Sequence, residues 1–227
     1  MIRVFIGYSR SAPVASAVAA HSIVARSSQP VSVNFIALSQ LEGIYTRPRH
    51  ELQSTDFSFS RFLTPYLAGY QDWAIFMDDD MLVLDDIAKL WALRDPAYAV
   101  QVVKHTHVPK EEEKFLGKVQ TKYEKKNWSS VMLFNCARCT ALTPDYVNSA
   151  TGLELHQFKW LGDDGLIGEI PHRWNHLADY DPHSDDVSIV HYTVGGPFYD
   201  DFKDCSYSAE WFAERQRLLH CDQRTKK

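Results

Sequence analysis

Apolar residues occur along this chain in short runs separated by polar turns, and the first three runs predict a β-α-β unit. Residues 3–6 and 31–38 are rich in valine, isoleucine and phenylalanine, which is typical of strands. Between them, apolar residues recur at helical spacing over residues 13–27, after a proline that the first turn of a helix tolerates. This opening predicts a parallel, doubly wound sheet.

The same patterns extend through the rest of the chain. Further strands are predicted at residues 73–77, 99–104, 131–134 and 189–193, and further helices at 54–67, 87–93, 142–150 and 210–219. Residues 109–128 carry much of the local charge with an apolar residue at every fourth position, which favours an amphipathic helix with a solvated face. We therefore expect one α/β domain over residues 1–227, with a charged helical insertion near 109–128.

Composition and charge narrow the function. The 227 residues are 45% hydrophobic and 23% charged, as in an ordinary globular domain. The net charge of −5 disfavours nucleic acid as the main partner, because a phosphate backbone calls for a basic surface. No apolar stretch approaches the roughly 18 residues of a membrane span, and the N-terminus reads as a strand rather than a signal peptide. We expect a cytoplasmic protein.

Three consecutive carboxylates, Asp78, Asp79 and Asp80, follow a predicted strand and interrupt an apolar run that resumes at residues 81–84. Adjacent carboxylates repel one another, and burying them is unfavourable unless a positive charge is present. Mg²⁺ and Mn²⁺ prefer carboxylate oxygens and often share them with a substrate phosphate. The triplet predicts a cation site, although a turn of solvated acids has the same sequence pattern.

Other polar residues follow predicted strands and could meet the triplet in one cleft. Asp163 and Asp164 lie in a glycine-rich turn, and His191 ends a strand just before two glycines. Two carboxylates and one imidazole around a cation would suit a nucleotide diphosphate, although a single histidine is more often structural. Arg61 lies among aromatic residues and requires either a phosphate or a carboxylate partner, for example the triplet itself.

These motifs, taken in order, resemble glycosyltransferase family eight, the group that includes glycogenin and bacterial lipopolysaccharide galactosyl- and glucosyltransferases. The family's Asp-x-Asp motif is matched at 76–80 and its serine-rich turn before an arginine at 58–62. Its Gly-Asp-Gln-Gly-Leu-Leu-Asn resembles 162–168, and its Leu-Pro-x-x-Trp-Asn resembles 170–175. Its His-x-x-Gly resembles 191–195, with the glycine one place later.

The resemblance implies a GT-A fold, a mostly parallel sheet flanked by helices, with Mn²⁺ or Mg²⁺ as cofactor. It implies a retaining hexosyltransferase that takes a sugar from a UDP-sugar to a saccharide or lipid-linked saccharide. The metal ligands would be Asp78, Asp80 and His191, and the catalytic residues Asp163 and Asp164. The residues that bind the nucleotide or the donor sugar would be Gly7, Tyr8, Ser9, Arg61, Asp79 and Ser129.

The chain departs from the family pattern at three positions. The family's Asn-Ala-Gly before the fifth strand is replaced by Trp128-Ser129-Ser130. The lysine that usually follows the His-x-x-Gly motif is absent, and Gly196-Pro197-Phe198 stands there. Ser9 occupies the first turn, where the family usually has an acidic residue. Two alternatives stay open: a sugar-nucleotide-binding module without turnover, and a haloacid-dehalogenase-like phosphatase. The phosphatase pattern needs its first aspartate after the first strand of the domain, whereas a whole β-α-β unit precedes Asp78.

Overall fold

The computed structural model describes residues 1–49, 53, 55–106, 113–114, 118–119 and 125–220. Its strands are β1 (Ile2–Gly7), β2 (Val31–Ile36), β3 (Trp73–Met77), β4 (Met81–Val83), β5 (Val100–Val102), β6 (Glu113–Lys114), β7 (Lys118–Val119), β8 (Val131–Asn135), β9 (Ile167–Glu169), β10 (His176–Leu177) and β11 (Ile189–His191). Its α-helices are α1 (Pro13–Arg26), α2 (Thr64–Leu67), α3 (Ile87–Ala92), α4 (Pro144–Ser149), α5 (Gly152–His156) and α6 (Ser208–Leu219).

The central sheet has six strands in the order β2-β1-β3-β8-β5-β9. Strand β1 pairs in parallel with both β2 and β3, which confirms the predicted β-α-β opening. Strand β8 runs antiparallel to its neighbours β3 and β5, while β9 is parallel to β5. The sheet is therefore mostly parallel and flanked by helices, as the sequence predicts.

Both faces of this sheet are buried, which explains the continuous apolar runs. Along β3, Ala74 and Phe76 belong to one core cluster, whereas Ile75 and Met77 belong to the other. This alternation follows from the two-residue period of a strand. The carboxylate triplet begins at the residue after Met77, so a buried central strand holds it in place.

A second, three-stranded sheet in the order β10-β11-β4 lies beyond the triplet. Strand β4 follows the triplet directly and pairs antiparallel with β11, so that Met81 faces His191 in the register. Strand β10 pairs in parallel with β11. The sequence does not predict β10, because two residues are too few for a periodic pattern.

Two helix predictions require correction. The stretch 109–128 has an antiparallel strand pair, β6 with β7, at its described residues, followed by a 3₁₀ turn at Trp128–Ser130. Most of the predicted helix there lies outside the described residues. The helix predicted from residue 54 begins at α2, after a 3₁₀ turn at Ser60–Leu63. Within the described part of the chain, no helix combines the length and apolarity needed to cross a bilayer.

Candidate active site

The turn between β3 and β4 carries Asp78, Asp79 and Asp80, and backbone hydrogen bonds fix it on two sides. The Asp78 amide donates to the Ser130 carbonyl at 3.0 Å, which ties the turn to the start of β8. The Tyr192 amide donates to the Asp80 carbonyl at 2.9 Å, which ties it to the end of β11. The main chain therefore holds the three carboxylates between the two sheets.

Asp78 pairs with Arg61 in the interior. The Arg61 Nη1 atom lies 2.7 Å from Asp78 Oδ1 and donates to the Ser129 carbonyl at 2.9 Å. Both side chains are buried, and the rings of Phe57 and Phe76 flank the guanidinium. The internal salt bridge that the sequence left open is therefore present. The Arg61 Nε atom is buried and has no hydrogen-bond partner among the described residues.

Asp79 connects the triplet to the first turn of the chain. Its Oδ2 accepts hydrogen bonds from the Ser9 amide at 3.0 Å and from the Ser16 hydroxyl at 3.3 Å. Burial raises the pKa of Asp79 well above its ordinary value, and the neighbouring charges of Asp80 and Asp78 raise it further. The hydrogen bonds from Ser9 act in the opposite direction, to lower the pKa.

Asp80 faces His191, the last residue of β11. The distance from His191 Nε2 to Asp80 Oδ1 is 3.5 Å, longer than the 2.7–2.9 Å typical of a charge-assisted hydrogen bond. His191 Nδ1 lies 3.0 Å from Asn175 Oδ1, and the Asn175 amide donates to the Asn127 carbonyl at 3.1 Å. Because Asn175 Oδ1 can only accept, Nδ1 carries the proton. In the neutral ring, Nε2 then directs its lone pair at Asp80.

Asp78, Asp80 and His191 form what we call the triplet cluster. One ligand atom from each residue lies within 4.8 Å of the other two. Two carboxylate oxygens and one imidazole nitrogen are donors that Mn²⁺ and Mg²⁺ accept. A lone pair directed at a carboxylate is repulsive unless a cation lies between the two groups. The donor set and its orientation therefore fit a divalent metal.

The first turn of the chain lies beside this cluster through Ser9. A Cβ atom added to Gly7 would lie 2.3 Å from the Phe57 ring, so only glycine permits this close approach. The Tyr8 ring contacts the Phe35 ring edge-on, with 5.9 Å between centroids. Packing therefore accounts for Gly7, and Tyr8 stands half-buried at the carboxyl end of β1.

The second acidic turn lies beside the segment that precedes β8. Asp164 Oδ1 lies 2.5 Å from Lys125 Nζ, and this hydrogen bond lowers the pKa of Asp164. Asp163 Oδ1 accepts the Gly165 amide at 2.8 Å and so begins a short 3₁₀ turn. The Ser129 hydroxyl, four residues after Lys125, lies 2.8 Å from His156 Nδ1. Both aspartates are exposed.

The structure thus brings Ser9, Arg61, Asp79 and Ser129 into contact with the triplet or its partners, whereas Asp163 and Asp164 contact Gly165 and Lys125. Sequence reasoning did not identify Asn175, although the Trp-Asn pair of its motif was a signal for it. It also overlooked Ser16 and Lys125, whose contacts with Asp79 and Asp164 are long-range and leave no local pattern.

Comparison with known proteins identifies the family. The model of glycosyl transferase family 8 matches residues 11–142, more than half of the chain. This chain belongs to glycosyl transferase family 8. It is a retaining glycosyltransferase, so the phosphatase alternative is wrong. The family match includes the triplet, Arg61 and Ser129, and it ends before the second acidic turn and His191. The fold places His191 beside Asp80.

The chain is also similar to one curated protein and to several solved structures. Protein CDI of Arabidopsis thaliana is 46% identical over 224 residues, which cover 94% of this chain and 86% of that protein. The galactosyltransferase LgtC, solved with donor and acceptor sugar analogs, is 14% identical with a TM-score of 0.67, and the match covers 98% of each chain. Mouse xyloside xylosyltransferase 1 is 13% identical with a TM-score of 0.53, over 84% of this family 8 chain and 97% of that one. At these identities the two structures show a shared GT-A fold.

Proposed function

We propose that this family 8 enzyme is metal-dependent and transfers a sugar from a UDP-sugar to a saccharide or lipid-linked saccharide acceptor. The observation that carries the proposal is the triplet cluster, whose three ligand atoms lie within 4.8 Å of one another at the end of β3. Ligands collect beyond the carboxyl ends of strands in sheets of this kind. We further propose that residues 1–227 act as a single domain.

Asp78, Asp80 and His191 would hold Mn²⁺ or Mg²⁺. When bound, the cation supplies positive charge that stabilises the departing diphosphate. Asn175 keeps the proton of His191 on Nδ1, so that Nε2 is available as a ligand. The pairing of β4 with β11 holds His191 next to Asp80.

Asp79 and the first turn would bind the nucleoside. The Ser9 amide and the Ser16 hydroxyl fix one Asp79 oxygen, which orients the carboxyl group to accept a ribose hydroxyl. Gly7 and Tyr8 would line the base together with Ser9. Tyr8 is half-buried at the carboxyl end of β1, where a planar base could stack on its ring.

Arg61 and Ser129 would bind the diphosphate or the donor sugar. The guanidinium is buried beside Asp78 with its Nε unpaired among the described residues, which supports a role toward an anion. The chain lacks the family's lysine after His-x-x-Gly, so Arg61 would be a main source of positive charge on the phosphate side. The Ser129 hydroxyl contacts His156 and could donate to a sugar hydroxyl.

Asp163 and Asp164 would lie at the reacting sugar. In a retaining transfer by front-face displacement, the bond from the anomeric carbon to the diphosphate breaks while the acceptor oxygen bonds to the same face. The acceptor proton passes to the departing phosphate oxygen. A carboxylate nearby stabilises the positive charge that develops on the sugar ring. Asp164 is held ionised by Lys125, which suits that role.

A thermal-shift and turnover experiment tests the proposal. UDP at one hundred times its Kd should stabilise the protein by about 2.7 kcal/mol, and only when Mn²⁺ is present. Asp80→Asn should lose both this shift and the slow hydrolysis of a UDP-sugar, whereas Asp145→Asn, on an exposed turn of α4, should keep both. Equal stabilisation without Mn²⁺ would contradict the metal role. Stabilisation without turnover would favour the binding module.

A further inference from the structure

A second group of metal-type ligands lies outside the site described above. His172, His176 and Asp181 line a surface cavity of about 600 Å³ beside β10. One ligand atom from each residue lies within 4.8 Å of the other two. We call these three residues the histidine cluster. Its donors are two imidazole nitrogens and one carboxylate oxygen, the reverse of the balance in the triplet cluster.

The distances between ligand atoms in the histidine cluster are closer to those between the ligands of a small bound cation than to the distance in a direct ion pair. His172 Nε2 lies 3.3 Å and His176 Nδ1 lies 3.8 Å from the same atom, Asp181 Oδ2. Hydrogen-bonded imidazolium–carboxylate pairs measure about 2.7–2.9 Å. Four-coordinate zinc with bonds of about 2.0–2.2 Å holds neighbouring ligand atoms roughly 3.4 Å apart.

Hydrogen bonds on the far side of His176 determine which of its nitrogens faces the cluster as an acceptor. The Tyr207 hydroxyl has one hydrogen, which it donates to the Ser184 carbonyl at 3.0 Å. The same hydroxyl lies 3.1 Å from His176 Nε2, so at that contact Nε2 must be the donor. In the neutral ring the proton is therefore on Nε2. The Nδ1 lone pair then points toward Asp181 with no proton between the two atoms.

Hydrogen bonds of the local chain hold Asp181 in place beside β10. The backbone bends back after β10 through Asp179, whose φ of +64° is in the left-handed region. Asp181 Oδ2 accepts the Leu177 amide at 2.6 Å, and the Asp181 amide donates to the Leu177 carbonyl at 2.9 Å. Asp179 also accepts the Ser206 amide at 3.0 Å, which fixes the turn to the segment before α6. Such preorganisation reduces the free energy lost on ordering when a metal binds.

We propose that His172, His176 and Asp181 bind a divalent transition metal of the zinc class, with a fourth coordination position open to the cavity. Imidazole ligands favour Zn²⁺, Ni²⁺ and Cu²⁺, whereas Mn²⁺ and Mg²⁺ favour oxygen. Two histidines and one carboxylate with one open position form a familiar zinc donor set. The histidine cluster thus selects a different ion from the triplet cluster, and this proposal does not depend on the donor or the acceptor of the transferase.

The test is equilibrium dialysis of the tag-free chain against Zn²⁺, with bound metal measured by mass spectrometry. It is run in the Asp80→Asn background, so that zinc in the triplet cluster is not counted. We expect one zinc per chain, and an affinity at least about tenfold weaker in His172→Ala and in Asp181→Asn. His172 is solvent-exposed, so its replacement should leave the fold intact, which circular dichroism of the metal-free variant checks.

His183→Ala is the matched control, because His183 lines the same cavity and stacks on Tyr207 without belonging to the cluster. It should bind zinc as the parent does. Co²⁺ in place of Zn²⁺ should give visible absorption of four-coordinate intensity that disappears in His172→Ala. Unchanged zinc binding in both His172→Ala and Asp181→Asn would overturn the proposal, as would an equal loss in His183→Ala.

Discussion

The triplet cluster and the histidine cluster flank the same short sheet and use the same device to orient a histidine. In each, one ring nitrogen is held by a neutral partner, Asn175 for His191 and Tyr207 for His176, and the other nitrogen faces a carboxylate. Their charges differ. The first contains two carboxylates, of which the buried Asp78 is paired with Arg61, whereas the second has a single carboxylate beside two imidazoles.

This difference shows how one chain can separate two classes of metal. A surplus of carboxylate oxygen favours hard ions that also bind phosphate, and it needs compensating positive charge while no ion is bound. Two imidazoles with one carboxylate favour softer ions, and they need little compensating positive charge. Asn175 and His176 are neighbours in sequence, yet Asn175 orients a ligand of the triplet cluster and His176 is a ligand of the histidine cluster. The start of β10 therefore contributes to both clusters.

The largest effect that we expect concerns the compensating charge. Arg61→Met should lower the free energy of unfolding by about 3–5 kcal/mol, because it removes the guanidinium that forms a salt bridge with the buried Asp78. Urea denaturation measures this loss, and Mn²⁺ should restore part of it by replacing the missing charge. Arg49→Met, which breaks the exposed pair with Asp56, should change stability by about 1 kcal/mol or less. If the two variants lost equal free energy of unfolding, Arg61 would not have the proposed role of compensating the buried charge of Asp78.

The next effect concerns turnover. His191→Ala should reduce the initial rate with a UDP-sugar by about a hundred- to a thousandfold, because one ligand of the cation that stabilises the leaving group is lost. His220→Ala, at the exposed end of α6, should retain the parent rate. If the rate of His191→Ala were within twofold of the parent rate, the triplet cluster would have no role in catalysis.

A crossed pair of variants sharpens the comparison further. Asn175→Leu removes the group that orients His191 and should weaken Mn²⁺ binding by about 10- to 100-fold, with Zn²⁺ binding retained. Tyr207→Phe removes the hydroxyl that orients His176. It should weaken Zn²⁺ binding by about 10- to 100-fold, with Mn²⁺ binding retained. Titration calorimetry with each ion measures both constants. If either variant weakened both ions equally, the two clusters would not be independent.

The smallest effect that we expect is a pH dependence of the metal-free protein. The raised pKa of Asp79, due to burial and to Asp80 and Asp78, means that the folded chain holds this proton more tightly than the unfolded chain. The associated stability is present below the ordinary carboxyl pKa and is lost as the pH rises through the raised value. Asp79→Asn should remove this loss, so its stability relative to the parent should increase with pH in urea denaturation. A constant difference would contradict the predicted protonation.

Sequence reasoning predicted the central sheet well because β1 and β3 are apolar and buried, and because the half-buried edge strand β2 alternates apolar with polar residues. It failed where the pattern is short or mixed. Strand β10 has two residues, and the charged stretch 109–128 has apolar residues at a helical interval but forms β6 and β7 at its described positions. Periodicity cannot resolve such cases, because tertiary pairing overrides local preference.

The candidate site shows the same division. The triplet stood out because three carboxylates interrupt an apolar run, and Arg61 because a guanidinium lies among aromatic residues. The orienting group Asn175 and the ion pair between Lys125 and Asp164 join residues that are distant in sequence and ordinary in composition. Their roles depend on three-dimensional proximity, which a single sequence does not encode locally.

The antiparallel pairing of β4 with β11 also has a consequence during synthesis of the chain. Asp80 and His191 are separated by roughly 110 residues, and the ladder that joins them needs both strands. At about 5–20 residues per second, a ribosome adds His191 on the order of ten seconds after Asp80. During that interval the nascent chain carries the acidic turn without its imidazole. The enzyme can therefore acquire its complete ligand set only after the residues between Asp80 and His191 have been added.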